Sequence, residues 1–236
     1  KAAWCQYRLN RVMTALKSLE KVVQLSRASG DIAENGKENQ TINRVRLATE
    51  ALKDYVPFFA EGGDFRQARR DFERVAGDQG LVRKMLERLA YAYLDIGNRN
   101  SAIFIFKDLI GVDPRAEKAA DYQYRVVMAL AVADPKNLRP EIDSWMFNFG
   151  PGSRWAEANQ ANAKLVQENF ELQESTLRNY VLQMHQTAQN SRAAFSQKLA
   201  SVGYGLYHKY FSNSPKATEM LFFNAELFFD MDRFAD

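Results

Sequence analysis

The chain has little of what cross-links or punctuates a fold. One cysteine, Cys5, in 236 residues leaves no partner for an internal disulfide and too few thiols for a multi-cysteine metal site. Two histidines, His185 and His208, are poor provision for a zinc enzyme. Twelve glycines and six prolines make about 8% of the chain, against roughly 12% in average usage, so turns should be few and elements long. The longest apolar run is the eight residues from Val126 to Ala133. A bilayer span needs roughly 20, so no transmembrane helix is expected. Charge of one sign is also scarce. Lys and Arg number 32 and Asp and Glu 29, and a net +3 does not demand nucleic acid.

What remains is ordinary globular composition, 46% apolar and 26% charged, which argues against disorder. The first thirty residues hold Lys1, Arg8, Arg11, Lys17, Lys21 and Arg27 against Glu20, an excess of +5. It could steer the chain toward an anionic surface, but is read first as a solvated helix face. The chain opens at Lys1 without an apolar leader and reads as a mature or trimmed fragment. Trp4 stands where a bacterial lipidation site wants a small residue, so Cys5 is expected as a small buried hydrophobe on a helix.

Helical periodicity runs almost throughout. Leu9, Val12, Met13, Leu16, Leu19 and Val23 recur at three- and four-residue steps as one stripe on a first helix, stopped by Ser29-Gly30-Asp31. Residues 31–41 read as a loop. Ile42, Val45, Leu52, Val56 and Phe59 mark a second helix that Pro57 should kink or end early. No alternation of period two appears, so no sheet is expected. Between Gly152 and Gly203 there is neither Gly nor Pro, and Leu177, Val181, Met184, Ala188, Phe195, Leu199, Val202 and Leu206 hold one helical phase. A single helix there would reach about 75 Å, so a break is expected near Gln189-Asn190-Ser191, with Asn or Ser as an N-cap.

Segment 83–116 carries a sharper pattern. Leu86, Leu89, Ala90, Tyr93, Gly97, Ala102, Phe106 and Pro114 form a series of large, large, small, aromatic, turn glycine, small, aromatic and proline positions. Two antiparallel helices that approach closely need Ala90 and Ala102 small. Gly97 permits a tight turn after the first helix, and Pro114 ends the second. This pattern resembles the tetratricopeptide repeat family, with Leu86 and Leu109 where the family often has Trp and Ala. Gly63, Phe65, Ala68 and Phe72 look like part of a preceding repeat. Tyr207 and Pro215, with Gly203 in the small position, suit a later second helix. Leu221, Ala225, Phe228, Phe234 and Ala235 look like the next first helix and turn. The run 117–133 keeps the phase of the clear repeat, but Asp134-Pro135 replaces its turn. The segment from Tyr207 to Asp236 also resembles bacterial envelope members of the family, of the outer-membrane assembly lipoprotein and Tol–Pal coordinator type.

The resemblance implies an all-α, antiparallel helix-pair solenoid with a divergent long-helix segment. The chain divides into N-terminal helices at 1–60, repeats at 61–135, a divergent helical insert at 136–190 and a truncated repeat at 191–236. It implies a protein or peptide partner in a concave groove and a periplasmic or outer-membrane-associated setting, with the cytoplasm left open. Carried over by position, the groove residues are Lys84, Glu87, Tyr91, Leu94 and Asp95, then Lys118, Asp121, Arg125 and Met128. At the C-terminal edge they are Glu219, Phe222, Glu226, Phe229 and Asp230. Lys84, Lys118 and Arg125 could clamp a carboxylate.

The residues themselves offer no catalytic template. There is no phosphate loop, no paired helical histidines and no nucleophile elbow. Asp230-x-Asp232 is too sparse for calcium. No catalytic residue, cofactor, metal or small-molecule substrate is expected. The row Arg66, Arg69, Arg70 and Arg74 is interleaved with Asp64, Asp71 and Glu73 and reads as local pairing before phosphate binding. The alternative to a scaffold is a basic helical module for nucleic acid or an anionic membrane surface. Residues 220–234 place Phe222, Phe223, Phe228, Phe229 and Phe234 around one helix, of which packing can bury one stripe. That edge is expected to meet further repeats beyond Asp236 or a second chain.

Overall fold

The computed structural model describes residues 1–28 and 38–230, with side chains at 1–27 and 43–230. Every regular element among them is helical. The order is α1 (Ala2–Arg8), α2 (Val12–Ala28), α3 (Glu38–Gly62), α4 (Ala68–Ala76), α5 (Gln79–Asp95), α6 (Arg99–Val112), α7 (Ala119–Ala133), α8 (Leu138–Phe149), α9 (Arg154–Ala158), α10 (Ala163–Ser191), α11 (Ala194–Phe211) and α12 (Ala217–Asp230). Short 3-10 turns at Phe65–Gln67 and Pro135–Asn137 lead into α4 and α8. The expected stop at Ser29-Gly30-Asp31, and Met231, Phe234 and Ala235, lie outside the described residues.

The chain forms two compact units. One is Lys1–Asp113 with Met128–Asp134, and the other is Pro114–Val127 with Pro135–Asp236. In the first unit α1 packs on α2, α2 on α3, α3 and α4 on α5, and α5 on α6. The α5–α6 pair follows from its residues. Asp78 caps α5 by accepting from the Leu81 amide at 2.8 Å. Gly97 takes the left-handed φ of 77° that turns the chain. Asn98 then caps α6 through the Ser101 amide at 3.3 Å. Ala90 and Ala102 are fully buried, with Leu86, Leu89, Tyr93, Phe106 and Leu109 beside them. Two helices joined by so short a turn and packed together run antiparallel.

The second unit is built on α10. Its buried positions are Asn169, Gln173, Leu177, Val181, His185 and Ala188, one stripe at three- and four-residue steps. Half of that stripe is polar. Asn169 donates from Nδ2 to the Phe149 carbonyl at 2.8 Å, and Gln173 from Nε2 to the Trp145 carbonyl at 3.0 Å. Both carbonyls lie toward the C-terminal end of α8; that of Phe149 is one of the last four, which receive no amide from their own helix, and that of Trp145 takes the Gln173 bond as a second one. Asn159 and Trp155 serve the chain before α7 in the same way, donating to the carbonyls of Arg115 and Ala116, each at 2.9 Å. Toward its other end α10 packs on α11, and Gly203 of α11 allows the close approach to Val181.

Several expectations are corrected. The N-terminal stripe is split between two helices by Asn10, which has a φ of 58°. Leu9 and Met13 are 64% and 58% exposed, while Ala15, Leu16, Leu19 and Val23 form the buried stripe of α2. Cys5 is exposed, since Ala3 is the residue α1 buries and Cys5 lies two positions, some 200°, around the helix. Residues 38–41, expected within a loop, are helical, because α3 begins at Glu38. Val45 is 62% exposed, so the core side of α3 starts at Ala51. Pro57 neither ends α3 nor faces inward. On the solvent side its missing amide leaves a carbonyl that water can reach. Beyond the break, α11 buries Ala200, Gly203, Tyr204, Tyr207 and Phe211 in place of Phe195, Leu199, Val202 and Leu206. Arg192, with a φ of 51°, resets the helical phase there, and no Asn or Ser side chain caps α11.

Candidate functional site

Burial of Val82, Met85, Leu86, Leu89, Ala90 and Tyr93 fixes the outward face of α5. That face carries the expected set. Lys84 and Asp95 are exposed, and Glu87, Tyr91 and Leu94 are half-buried. Tyr91 is held edge-on against Phe106, centroids 5.3 Å apart, so its ring is fixed to the fold while part of it stays accessible.

The set on α7 is different in kind. Lys118 and Met128 are exposed, but Asp121 and Arg125, one turn apart, form an ion pair at 3.2 Å. The Arg125 guanidinium therefore already faces a carboxylate of its own helix. Lys118, Asp121 and Arg125 belong to the second unit, and Met128 with the α5 residues to the first. The structure gathers Lys84, Glu87, Tyr91, Leu94 and Asp95 on one helix face. Asp121, Arg125 and Met128 stand on another helix, α7, and Lys118 in the turn just before it.

On α12 the buried side chains are Ala217, Met220 and Leu227. Met220 and Leu227 are two turns apart on one stripe. Phe222 is 68% exposed, Phe229 66% and Leu221 53%. Glu226 and Asp230 are exposed beside them, and Glu219 pairs with Lys216 at 2.8 Å. This is an apolar helix face with acidic neighbours.

Neither models of protein families nor curated proteins match this chain. Its residues therefore carry the functional argument. Among the described residues no cluster of three or more His, Cys, Asp or Glu is spaced to hold a metal ion, and no helix is long and apolar enough to cross a membrane.

Sequence periodicity passed over His185, which is 5% exposed. Its Nδ1 lies 2.6 Å from the Tyr204 hydroxyl, while its Nε2 is buried without a hydrogen-bond partner among the described residues. Burial pulls its pKa below the ordinary 6.5, against the opposing pull of Glu226 and Asp230. The signal lay in plain view, since His185 stands at helical spacing from Leu177, Val181 and Ala188, but Met184 looked the better hydrophobe. Nearby, Tyr207 donates to Glu174 at 2.6 Å, and Arg178 holds the same carboxylate at 3.1 Å. Burial and the Glu174 hydrogen bond push the Tyr207 hydroxyl up to about 12.

The arginine row is paired less locally than its sequence implies. Arg74 reaches Glu20 of α2 at 2.8 Å as well as Asp71 at 3.2 Å, and Tyr55 of α3 donates to Glu20 at 2.8 Å. Arg69 forms an ion pair with Asp108 of α6, its Nε donating to Oδ2 at 2.9 Å and Oδ1 at 3.2 Å while Nη2 lies 2.7 Å from Oδ2. Asp64 caps the 3-10 turn through the Arg66 amide at 3.0 Å.

Proposed function

We propose that this chain is a non-catalytic helical scaffold of tetratricopeptide type that holds a protein or peptide partner on its outward helix faces. The observation that carries the reading is α12. A fourteen-residue helix that buries Ala217, Met220 and Leu227 turns Leu221, Phe222 and Phe229 toward solvent. Large apolar side chains gathered on one exposed helix face mark an interaction surface. The close-packed α5–α6 pair, with buried Ala90 and Ala102 and the turn at Gly97, supports the repeat reading, and the fixed Tyr91 on α5 supplies a second contact face. A setting in a bacterial envelope assembly belongs to the same proposal and rests on the resemblance of the segment from Tyr207 onward.

The test is association of the chain itself. The exposed face should drive self-association at high concentration in light scattering. Phe222→Ser combined with Phe229→Ser should reduce it while far-UV circular dichroism stays helical. A parent chain that stays monomeric at every concentration, or a double variant that associates as strongly, would overturn the reading. Such association should hold or strengthen between low and physiological salt, because salt screens the repulsion between the acidic neighbours Glu226 and Asp230 of two copies. A phosphate-binding module would instead lose orders of magnitude.

A further inference from the structure

Of the four arginines in the row 66–74, two are unaccounted for by the fold. Arg69 is tied to Asp108 and Arg74 to Glu20 and Asp71. Arg66 and Arg70, one helical turn apart, are exposed, and no carboxylate side chain pairs with either among the described residues. They stand on the wall of a cleft of about 270 Å³ between the turn Phe65–Gln67, α4 and α6. The opposite wall is Phe104, 43% exposed, with buried Ile105 beside it. Phe65 and Phe104 meet edge to face at 5.2 Å, and the Arg66 guanidinium lies 4.6 Å over the Phe65 ring. The cleft thus joins an aromatic slot to two guanidinium groups. All of these residues belong to the first unit.

Size and charge select the occupant. Pockets for small molecules run from roughly 300 Å³ upward, so this cleft suits one large side chain and its flanks better than a cofactor. Asp108 neutralises Arg69, and Glu73 at one end opposes part of the remaining charge. Arg66 and Arg70 against Glu73 leave a single net positive charge. That is too little for a phosphate backbone, whose binding rests on many neutralised phosphates. The two guanidinium groups beside the aromatic slot instead match two carboxylates next to an apolar residue in a short peptide, and Glu73 limits how much more acid the cleft can take. Arginine is suited to this role because its planar fork grips a carboxylate through two donors.

We infer that this cleft docks an acidic peptide segment, its apolar side chain between Phe65 and Phe104 and the neighbouring carboxylates on Arg66 and Arg70. The inference uses none of the residues of the α5 and α12 faces and stands whether or not those faces bind a partner.

The probe is a fluorescein-labelled Gly-Ser-Asp-Asp-Phe-Gly-Ser peptide, read by anisotropy with the full chain. Saturable binding is expected. The Asn-Asn-Phe version should bind about tenfold more weakly, as should Arg66→Gln with Arg70→Gln, through loss of charge-assisted hydrogen bonds. Phe104→Ser should weaken both peptides alike, and Lys17→Gln on α2 should change nothing. Side-chain Nε–H resonances of Arg66 and Arg70 should shift on titration of the Asp-Asp-Phe peptide, a readout independent of the variants. Absence of saturable binding, equal affinity for the two peptides, or no shift of those resonances would overturn the inference. Displacement of the peptide by inorganic phosphate or by phosphatidylserine vesicles, with the same arginine dependence, would overturn it in favour of a phosphate or lipid ligand.

Discussion

Gly203 of α11 sits so close to Val181 of α10 that a Cβ at position 203 would lie 3.0 Å from Val181 Cγ2. Val181 is fully buried, so it can yield only against the close-packed side chains around it. Two residues on, Gly205 is exposed and would place its Cβ in open space. Both are interior to the same helix, where alanine is favoured over glycine by about 1 kcal/mol. Gly205→Ala should therefore raise stability by about 0.5–1 kcal/mol, measured by urea unfolding. Gly203→Ala should forfeit that gain or reverse it. Equal stabilisation by both would show that the α10–α11 contact is looser than described.

The α5–α6 pair predicts the opposite kind of loss. Ala90 and Ala102 are both fully buried. Ala90→Leu or Ala102→Leu should overpack the contact and cost about 1–3 kcal/mol, seen as a lower midpoint of denaturation. A variant that unfolds like the parent would place that alanine outside the helix contact.

His185 gives a pH dependence with a definite sign. Its pKa in the folded chain is depressed below 6.5 by burial, so above 6.5 it is neutral in both states and adds no slope. As pH falls through 6.5 the unfolded chain takes the proton first, and stability drops until the folded-state pKa is reached. Glu226 and Asp230 temper the drop by favouring the charged form. His185→Gln should flatten the stability curve from about pH 7 to 5 relative to the parent. An unchanged slope would assign the acid sensitivity elsewhere.

Glu20 acts on a lower range. The Arg74 hydrogen bonds hold its pKa below the ordinary 4.5, outweighing the effect of burial, with Tyr55 adding to the same direction. A depressed carboxylate contributes stability above its unfolded pKa and loses it as pH falls through the folded one. Glu20→Gln should thus cost stability at neutral pH and lose less of what remains on acidification below 4.5, followed by fluorescence-detected unfolding.

The helical character and the α5–α6 pair were legible because their signals are local. Gly97, Asn98, Ala90 and Ala102 each specify a turn, a cap or a contact through their own chemistry. The phase of α11 was not, because periodicity carried across residues 189–194 assumes one continuous helix, and Arg192 interrupts it in a conformation any polar residue could have hidden. The first half of α10 was illegible for another reason. Asn169 and Gln173 occupy core positions, and a search for apolar recurrence discards the residues that satisfy the carbonyls of α8. Cys5 failed on type alone, since cysteines are mostly buried but this one shares no face with Ala3. On the candidate faces, position predicted exposure for Lys84, Phe222 and Phe229. It could not foresee that Arg125 would be matched by Asp121 while Arg66 and Arg70 were left unmatched.

The two amides on α10 also choose where that helix stops sliding. Apolar stripes are permissive about register, because leucine and valine tolerate one another's places. Asn169 faces the Phe149 carbonyl and Gln173 the Trp145 carbonyl, four residues apart on each helix and in opposite order. A shift of one turn in one direction would set Leu177 against the Trp145 carbonyl. In the other direction it would set Leu165 against that of Phe149. Either way one side-chain bond of the seam is lost from a dry contact, and in the second case the Phe149 carbonyl, which no amide of its own helix reaches, is left without a donor at a cost of about 1–3 kcal/mol. The seam that made α10 hard to read thus works as a detent, holding α10 at one position along α8.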